Sequence, residues 1–259
     1  MTTDTTTEAG LSARLAASPA GPPRYSVKAI WRTLQGEGAW AGRPAVFVRF
    51  TGCNMWSGYA RDRERDAERT GAHCPLWCDT DFTKEGAVRL SAHDLAQEIE
   101  RVGADQNPRQ PVRFVVLTGG EPLLQADAAL ILALHERGIE VACETNGTVP
   151  LADAFTGEDG ALHPPDWVVC SPKLPEDRLA LEWCDELKLV VPDYLPAAFS
   201  NFASRVRAHP LAGRPRPFLW LQPEDGPRQE EATRLAVDLA HQNPEWRVSV
   251  QTHKVLGID

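Results

Sequence analysis

Three cysteines, Cys53, Cys74 and Cys78, fall in the single stretch Thr51–Phe82, directly after the apolar run PAVFVRF (44–50). Thiolates gathered at the mouth of a strand are metal ligands. Three of them, not four, leave one corner of the metal open for a substrate or cofactor. Zinc takes four ligands, commonly as two C-x₂₋₄-C pairs. Cys74 and Cys78 make one such pair, and a second is missing. An iron–sulfur cluster with one open iron suits three thiols better. A zinc staple, or three buried cysteines, stays open on spacing alone. Other capable residues recur along the chain. TGGEP (118–122) has paired glycines that let backbone approach a ligand, and Glu121 offers a carboxylate to an amino group. By itself the same motif is only a tight turn with a solvated glutamate. ETNG (144–147), Ser171–Lys173, Gln222–Asp225 and His253 carry amides, hydroxyls and charges that are equally open to the plainer reading of turns and solvated side chains.

The elements that position these residues follow a strand–helix alternation. Strands are expected at 25–31, 44–50, 112–117, 139–143, 166–170, 186–191, 217–222 and 247–253. Helices are expected after Ser91, which opens a capping box with Asp94, at 126–138 with Gly138 as its stop, at 196–208, and from Pro227, placed in a first helical turn. Continuous apolar strands between helices predict an α/β fold with a predominantly parallel sheet, curved into a partial, open barrel. In such sheets the ends of the strands share one rim, where sites are built. The candidate residues fall just past those ends.

The chain has 259 residues, 42% of them hydrophobic, and a formal net charge of −9. The length suits one domain, expected over 25–259, with a loose tail at 1–24 that lacks a signal peptide's basic start and apolar run. The acidic balance argues against a general nucleic-acid binder. No apolar run reaches the roughly 18 residues of a membrane helix, so a cytoplasmic location is expected. There the six cysteines are reduced, metal-bound or buried. Cys143, Cys170 and Cys184 share no spacing and read as packing residues. The charged insertion RDRERDAER (61–69) reads as a solvated helix, either a docking surface for an electron donor or a solubilising excursion.

Three cysteines in a loop after a strand, Trp77 before the last of them, and GGEP after the next core strand resemble the radical S-adenosylmethionine (SAM) superfamily. The resemblance implies that Cys53, Cys74 and Cys78 hold a [4Fe–4S] cluster whose open iron chelates SAM. It implies that Gly119, Gly120 and Glu121 hold the SAM amino group, that Trp77 lies by the adenine, and that Asn146, Ser171, Pro172 and Lys173 line the rest of the SAM pocket. Superfamily members separate the last two cysteines by two residues; here Pro75, Leu76 and Trp77 make three.

LQGEGAWAGRPAVFVRFTGCN, the long gap after Cys53, CDTDF, SPK, QPED and the terminal QTHK are similar to the 7-carboxy-7-deazaguanine synthase branch, over about Tyr25 to Asp259. This implies a lyase that contracts 6-carboxy-5,6,7,8-tetrahydropterin with release of ammonia, assisted by Mg²⁺, in queuosine and deazapurine synthesis. It further implies that Leu34, Gln35, Gly36 and Glu37 read the pterin edge and that Arg49 pairs with the substrate carboxylate. Thr80 would hold Mg²⁺, ahead of Asp79 and Asp81. Thr118, His253 and Asp259 would face the substrate, while Gln222, Pro223, Glu224 and Asp225 would close over the SAM ribose and adenine. A flavodoxin or ferredoxin as electron donor and a homodimer are implied as well. A glycyl-radical activase and a non-catalytic zinc-stapled module are the competing readings.

Overall fold

A computed structural model of the chain describes residues 24–208 and 217–258. The expected tail, apart from Arg24, and the expected role of Asp259 lie outside the described residues. The chain divides into two compact units.

The first unit comprises Met1–Thr33, Pro44–Glu144 and Leu151–Asp166. Its strands are β1 (Tyr25–Leu34), β2 (Pro44–Phe50), β3 (Val88–Leu90), β4 (Phe114–Gly119) and β5 (Glu140–Thr145), the last residues of β1 and β5 passing into the second unit. They lie in the order β3-β1-β2-β4-β5. β2 pairs parallel with β4 and β4 with β5, while β3 runs antiparallel to β1. Val115, Val116 and Leu117 of β4 are fully buried, as expected of a strand covered on both faces. The helices are α1 (Arg63–Thr70), α2 (Ala92–Ala104), α3 (Ala128–His135) and α4 (Leu151–Phe155). The expected cap of α2 is present: Ser91 Oγ accepts from Asp94 N at 3.1 Å, an interaction worth about 1 kcal/mol. Leu95, Ile99 and Val102 then recur at helical spacing on its buried face.

The second unit comprises Leu34–Arg43, Thr145–Pro150 and Trp167–Asp259. Strands β6 (Trp167–Cys170), β7 (Glu186–Val191), β8 (Phe218–Pro223) and β9 (Trp246–Val248) pair in sequence order, each parallel to the next. Its helices are α5 (Ser200–Ala208), α6 (Gln229–Gln242) and α7 (Thr252–Leu256). The α/β class and the predominantly parallel pairing read from the sequence are both present.

Two expected elements differ. The last strand stops at Val248, not His253. Ser249 N still donates to Leu221 O at 2.9 Å while its hydroxyl accepts from Gly38 N at 3.0 Å, and residues 252–256 coil into α7. Helix α6 starts at Gln229, so Pro227 lies outside its first turn. Pro227 instead occupies the second position of a turn closed by Gln229 N on Gly226 O at 3.0 Å, a place where its fixed φ is favoured. The sequence reading also passed over β3 and α4.

Candidate active site

The cysteine loop of the first unit is tied down by backbone. Gly52 N donates to Phe82 O at 2.9 Å and Gly52 O accepts from Glu121 N at 3.0 Å. One residue thus joins the start of the loop to its end and to the GGE turn after β4. That approach explains Gly120. A Cβ there would stand 2.2 Å from Gly52 O and 2.7 Å from the Cβ of Cys53. The glycine is required by packing against the cysteine loop, a reason the sequence reading had assigned to ligand access. Glu121 is fully buried, and its carboxylate caps the following turn by accepting from Leu123 N at 3.0 Å.

Cys53 Sγ accepts from Met55 N at 3.4 Å. Burial pushes its thiol up to about 11, against the pull of backbone N–H groups from Met55 and Trp56. Cys53 therefore carries a proton at neutral pH, and a metal that binds it must displace that proton. Backbone N–H groups aimed at a sulfur stabilise a metal-bound thiolate, so this donor set fits an iron–sulfur cluster. Cys74 opens a short 3₁₀ turn, Cys74–Leu76. Its carbonyl accepts from Trp77 N at 3.2 Å and from Cys78 N at 2.8 Å. The three intervening residues therefore close one helical turn, which sets Cys74 and Cys78 on the same side. That turn absorbs the extra residue in the spacing. Among the described residues no three His, Cys, Asp or Glu side chains converge as they would on a single ion. Cys143, Cys170 and Cys184 are buried, as read from the sequence.

Arg49 of β2 is in register with Thr118 of β4. Thr118 Oγ1 stands 3.4 Å from Glu144 Oε2 of β5. Three adjacent parallel strands thereby set a guanidinium, a hydroxyl and a carboxylate side by side. Burial lowers the pKa of Arg49, while the negative fields of Glu144, Cys78, Asp79 and Asp81 oppose that shift. Its guanidinium lies 5.3 Å from the Trp31 ring. A largely desolvated arginine near a cysteine of the loop is suited to an anionic ligand. Trp77 is exposed and Thr80 half-buried. Asp81 accepts from Thr83 and pairs with Lys28 at 2.9 Å.

In the second unit the segment 34–43 meets the C-terminal residues. Thr252 N donates to Gly36 O at 2.8 Å. A Cβ on Gly36 would fall 1.9 Å from Nδ1 of His253, so Gly36 and His253 are packed against each other. Gln35 is buried, and its side-chain carbonyl accepts from Glu37 N at 3.1 Å. Glu37 is ion-paired with Lys188 of β7, and its Oε1 accepts from Gln222 Nε2 at 3.0 Å and Gln251 Nε2 at 2.8 Å. Burial raises the carboxyl's pKa, but Lys188 and the amide donor of Gln251 outweigh it and hold Glu37 at about 2. A second buried carboxylate, Glu186, accepts from Trp167 Nε1 at 2.6 Å and Ala39 N at 3.0 Å. Lys173 Nζ donates to Ser171 Oγ at 2.7 Å. Asn146 uses its side-chain oxygen on Thr148 N at 3.0 Å. Glu224 is held by Arg228 at 2.5 Å and Asp225 by Lys254. The side chains of Gln222, Glu224 and Asp225 are thus engaged within the chain.

The chain is 43% identical to the 7-carboxy-7-deazaguanine synthase of Bradyrhizobium diazoefficiens, an alignment covering 90% of this chain and 99% of the relative. The chain belongs to the 7-carboxy-7-deazaguanine synthase family. The synthase of Bordetella pertussis is 42% identical over the same shares. The profile of the Radical SAM superfamily matches residues 73–181, a span that includes Cys74 and Cys78. The crystal structure of QueE from Escherichia coli superposes with a TM-score of 0.59 at 26% identity, covering 88% of this chain and 94% of that one. The family's fold class, radical SAM chemistry and cluster-plus-SAM requirement agree with the expectation from sequence. Lys188 and Glu186, buried charges of the second unit, were passed over in the sequence reading, which did include Glu144 within ETNG (144–147). A lysine inside the apolar run ELKLVV was the available signal, since a buried ammonium demands a partner.

Proposed function

We propose that residues 25–259 act as one radical SAM domain converting 6-carboxy-5,6,7,8-tetrahydropterin to 7-carboxy-7-deazaguanine with release of ammonia. The observation that carries this is the half-buried Arg49 beside Thr118 and Glu144, within the electrostatic reach of Cys78. An arginine so placed binds the substrate carboxylate close to the cluster. When bound, the cluster and SAM together supply a 5′-deoxyadenosyl radical that takes a hydrogen atom from the substrate. Cys53, Cys74 and Cys78 hold the cluster. Gly119, Gly120 and Glu121 receive the SAM amino group, with Trp77, Asn146, Ser171, Pro172 and Lys173 around the rest of SAM, and 222–225 near its ribose.

Gln35 and Glu37 read the donor-rich edge of the pterin. A carboxylate kept ionised accepts from N–H groups and cannot donate, which selects the amino-amidine pattern. Leu34, Gly36, Thr118 and His253 complete that contact. Thr80 supplies one oxygen to Mg²⁺, the rest coming from substrate and water. A flavodoxin- or ferredoxin-type electron donor, a homodimer and a cytoplasmic location are part of the same proposal, supported by the resemblance to the family. Among the described residues no helix is long and apolar enough to cross a membrane.

The test is anaerobic turnover with SAM, reductant and 6-carboxytetrahydropterin, followed by mass spectrometry. The expected result is 7-carboxy-7-deazaguanine and ammonia in equal amounts. SAM cleavage that is indifferent to the pterin would reject the proposal.

A further inference from the structure

The insertion between Cys53 and Cys74 is neither loose nor merely solubilising. From α1, Arg63 donates to Pro75 O at 2.5 Å and to Cys78 O at 2.9 Å. Its guanidinium lies 4.5 Å from the ring of Trp56, and Trp56 meets Phe82 edge-on at 5.4 Å. One turn further along, Asp66 is 2% exposed. Its Oδ2 accepts from Ser57 N at 2.8 Å, and its Oδ1 is paired with Arg65 at 3.0 Å. The end of α1 is closed as well, because Thr70 Oγ1 donates to Asp66 O at 2.8 Å and accepts from Ala72 N at 3.3 Å. The helix therefore grips Trp56 and Ser57 on the Cys53 side and Pro75 and Cys78 on the other. The sequence separation of Cys53 and Cys78 is long, and α1 is bonded to Ser57 near one end of it and to Pro75 and Cys78 at the other.

We infer that α1 is a strut that fixes the cysteine spacing, and that Arg63 is the positioning residue that locks the Cys74–Cys78 turn in its cluster-binding shape. The inference rests on the proposed ligand set. Arg63 suits the task because its planar fork can serve two carbonyls at once while its face rests on an indole, which a lysine cannot do. Two charge-assisted bonds to backbone on either side of the last cysteine are among the stronger ties available to a loop.

The experiment compares wild type with Arg63→Ala, Arg63→Lys and, as a control, Arg61→Ala, which removes an exposed arginine from the same insertion. Amide hydrogen exchange over 74–80 is read in the metal-free chain. Iron release to a chelator and the electron paramagnetic resonance spectrum of the reduced cluster are read after anaerobic reconstitution. Arg63→Ala should exchange those amides faster, release iron roughly tenfold faster or more, and alter the spectrum, with Arg63→Lys intermediate and Arg61→Ala unchanged. Should the alanine variant not fold, the lysine variant decides by the same readouts. Wild-type exchange rates at 74–80 in a folded Arg63 variant would overturn the strut, whether or not a cluster is bound. A wild type that takes up no iron and sulfide would instead reject the ligand set.

Discussion

Lys188→Met lowers folding stability by about 3–5 kcal/mol at neutral pH, the usual cost of stranding one partner of a buried ion pair. Lys188 is 6% and Glu37 15% exposed at the side chain, so water screens the pair little. The lysine also sits on β7 while Glu37 sits in the 34–43 segment, so its loss removes one of several ties between that segment and the sheet of the second unit. The sign of the pH dependence is a stricter check. In the wild type Glu37 titrates at about 2, below its ordinary 4.5. Its ionised form therefore stabilises the fold above about pH 4.5, and that stability is lost as pH falls toward 2. Without Lys188, burial acts on Glu37 against the weaker pull of the amide donors, and its pKa rises. Protonation then relieves the variant, so the gap from wild type should be widest near pH 7 and narrow on acidification to pH 4. Urea titrations at several pH values check this, and Glu37→Gln combined with Lys188→Met should recover most of the loss. A gap below about 1 kcal/mol, or one that widens in acid, contradicts the arrangement.

Arg49→Lys should reduce kcat/KM for the pterin by about 10- to 100-fold. One charge-assisted hydrogen bond is worth about 1.5–3 kcal/mol, and about 1.4 kcal/mol is a factor of ten. Lysine keeps the charge but loses the bidentate fork and the flat contact with Trp31. Iron content and the cluster spectrum should stay at wild-type values, since Arg49 donates to no cysteine in its proposed role. Steady-state kinetics and metal analysis on the same preparation separate the two effects. Unchanged kcat/KM, or loss of the cluster, would contradict the assignment.

Most strands of both units, though not β3, were legible because they are short apolar runs ended by a turn signal, and FVVL and ELKLVV are buried as such runs must be. The cysteine loop and the GGE turn were legible as chemistry, because thiols and paired glycines have few other uses in that order. What could not be read was partnership. Lys188 looked like one more strand residue, and only the fold shows that Glu37, far earlier in the chain, neutralises it. Arg63 stood in a run of alternating charges typical of a solvated helix, and its two carbonyl partners lie beyond the next turn. The last strand was overextended because RVSVQTH alternates well, whereas past Ser249 the chain turns to the 34–43 segment, with Gln251 Nε2 donating to Glu37 and Thr252 N to Gly36 O. Local pattern reports burial; it does not report which buried charges meet.

The most direct measurement is the iron, sulfide and zinc content of the full chain after anaerobic reconstitution, for wild type and for Cys53→Ser. About four irons and four sulfides per wild-type chain, falling sharply in the variant, is the predicted result for a [4Fe–4S] cluster held by these thiolates. One zinc with no sulfide, or iron uptake indifferent to Cys53, would contradict it.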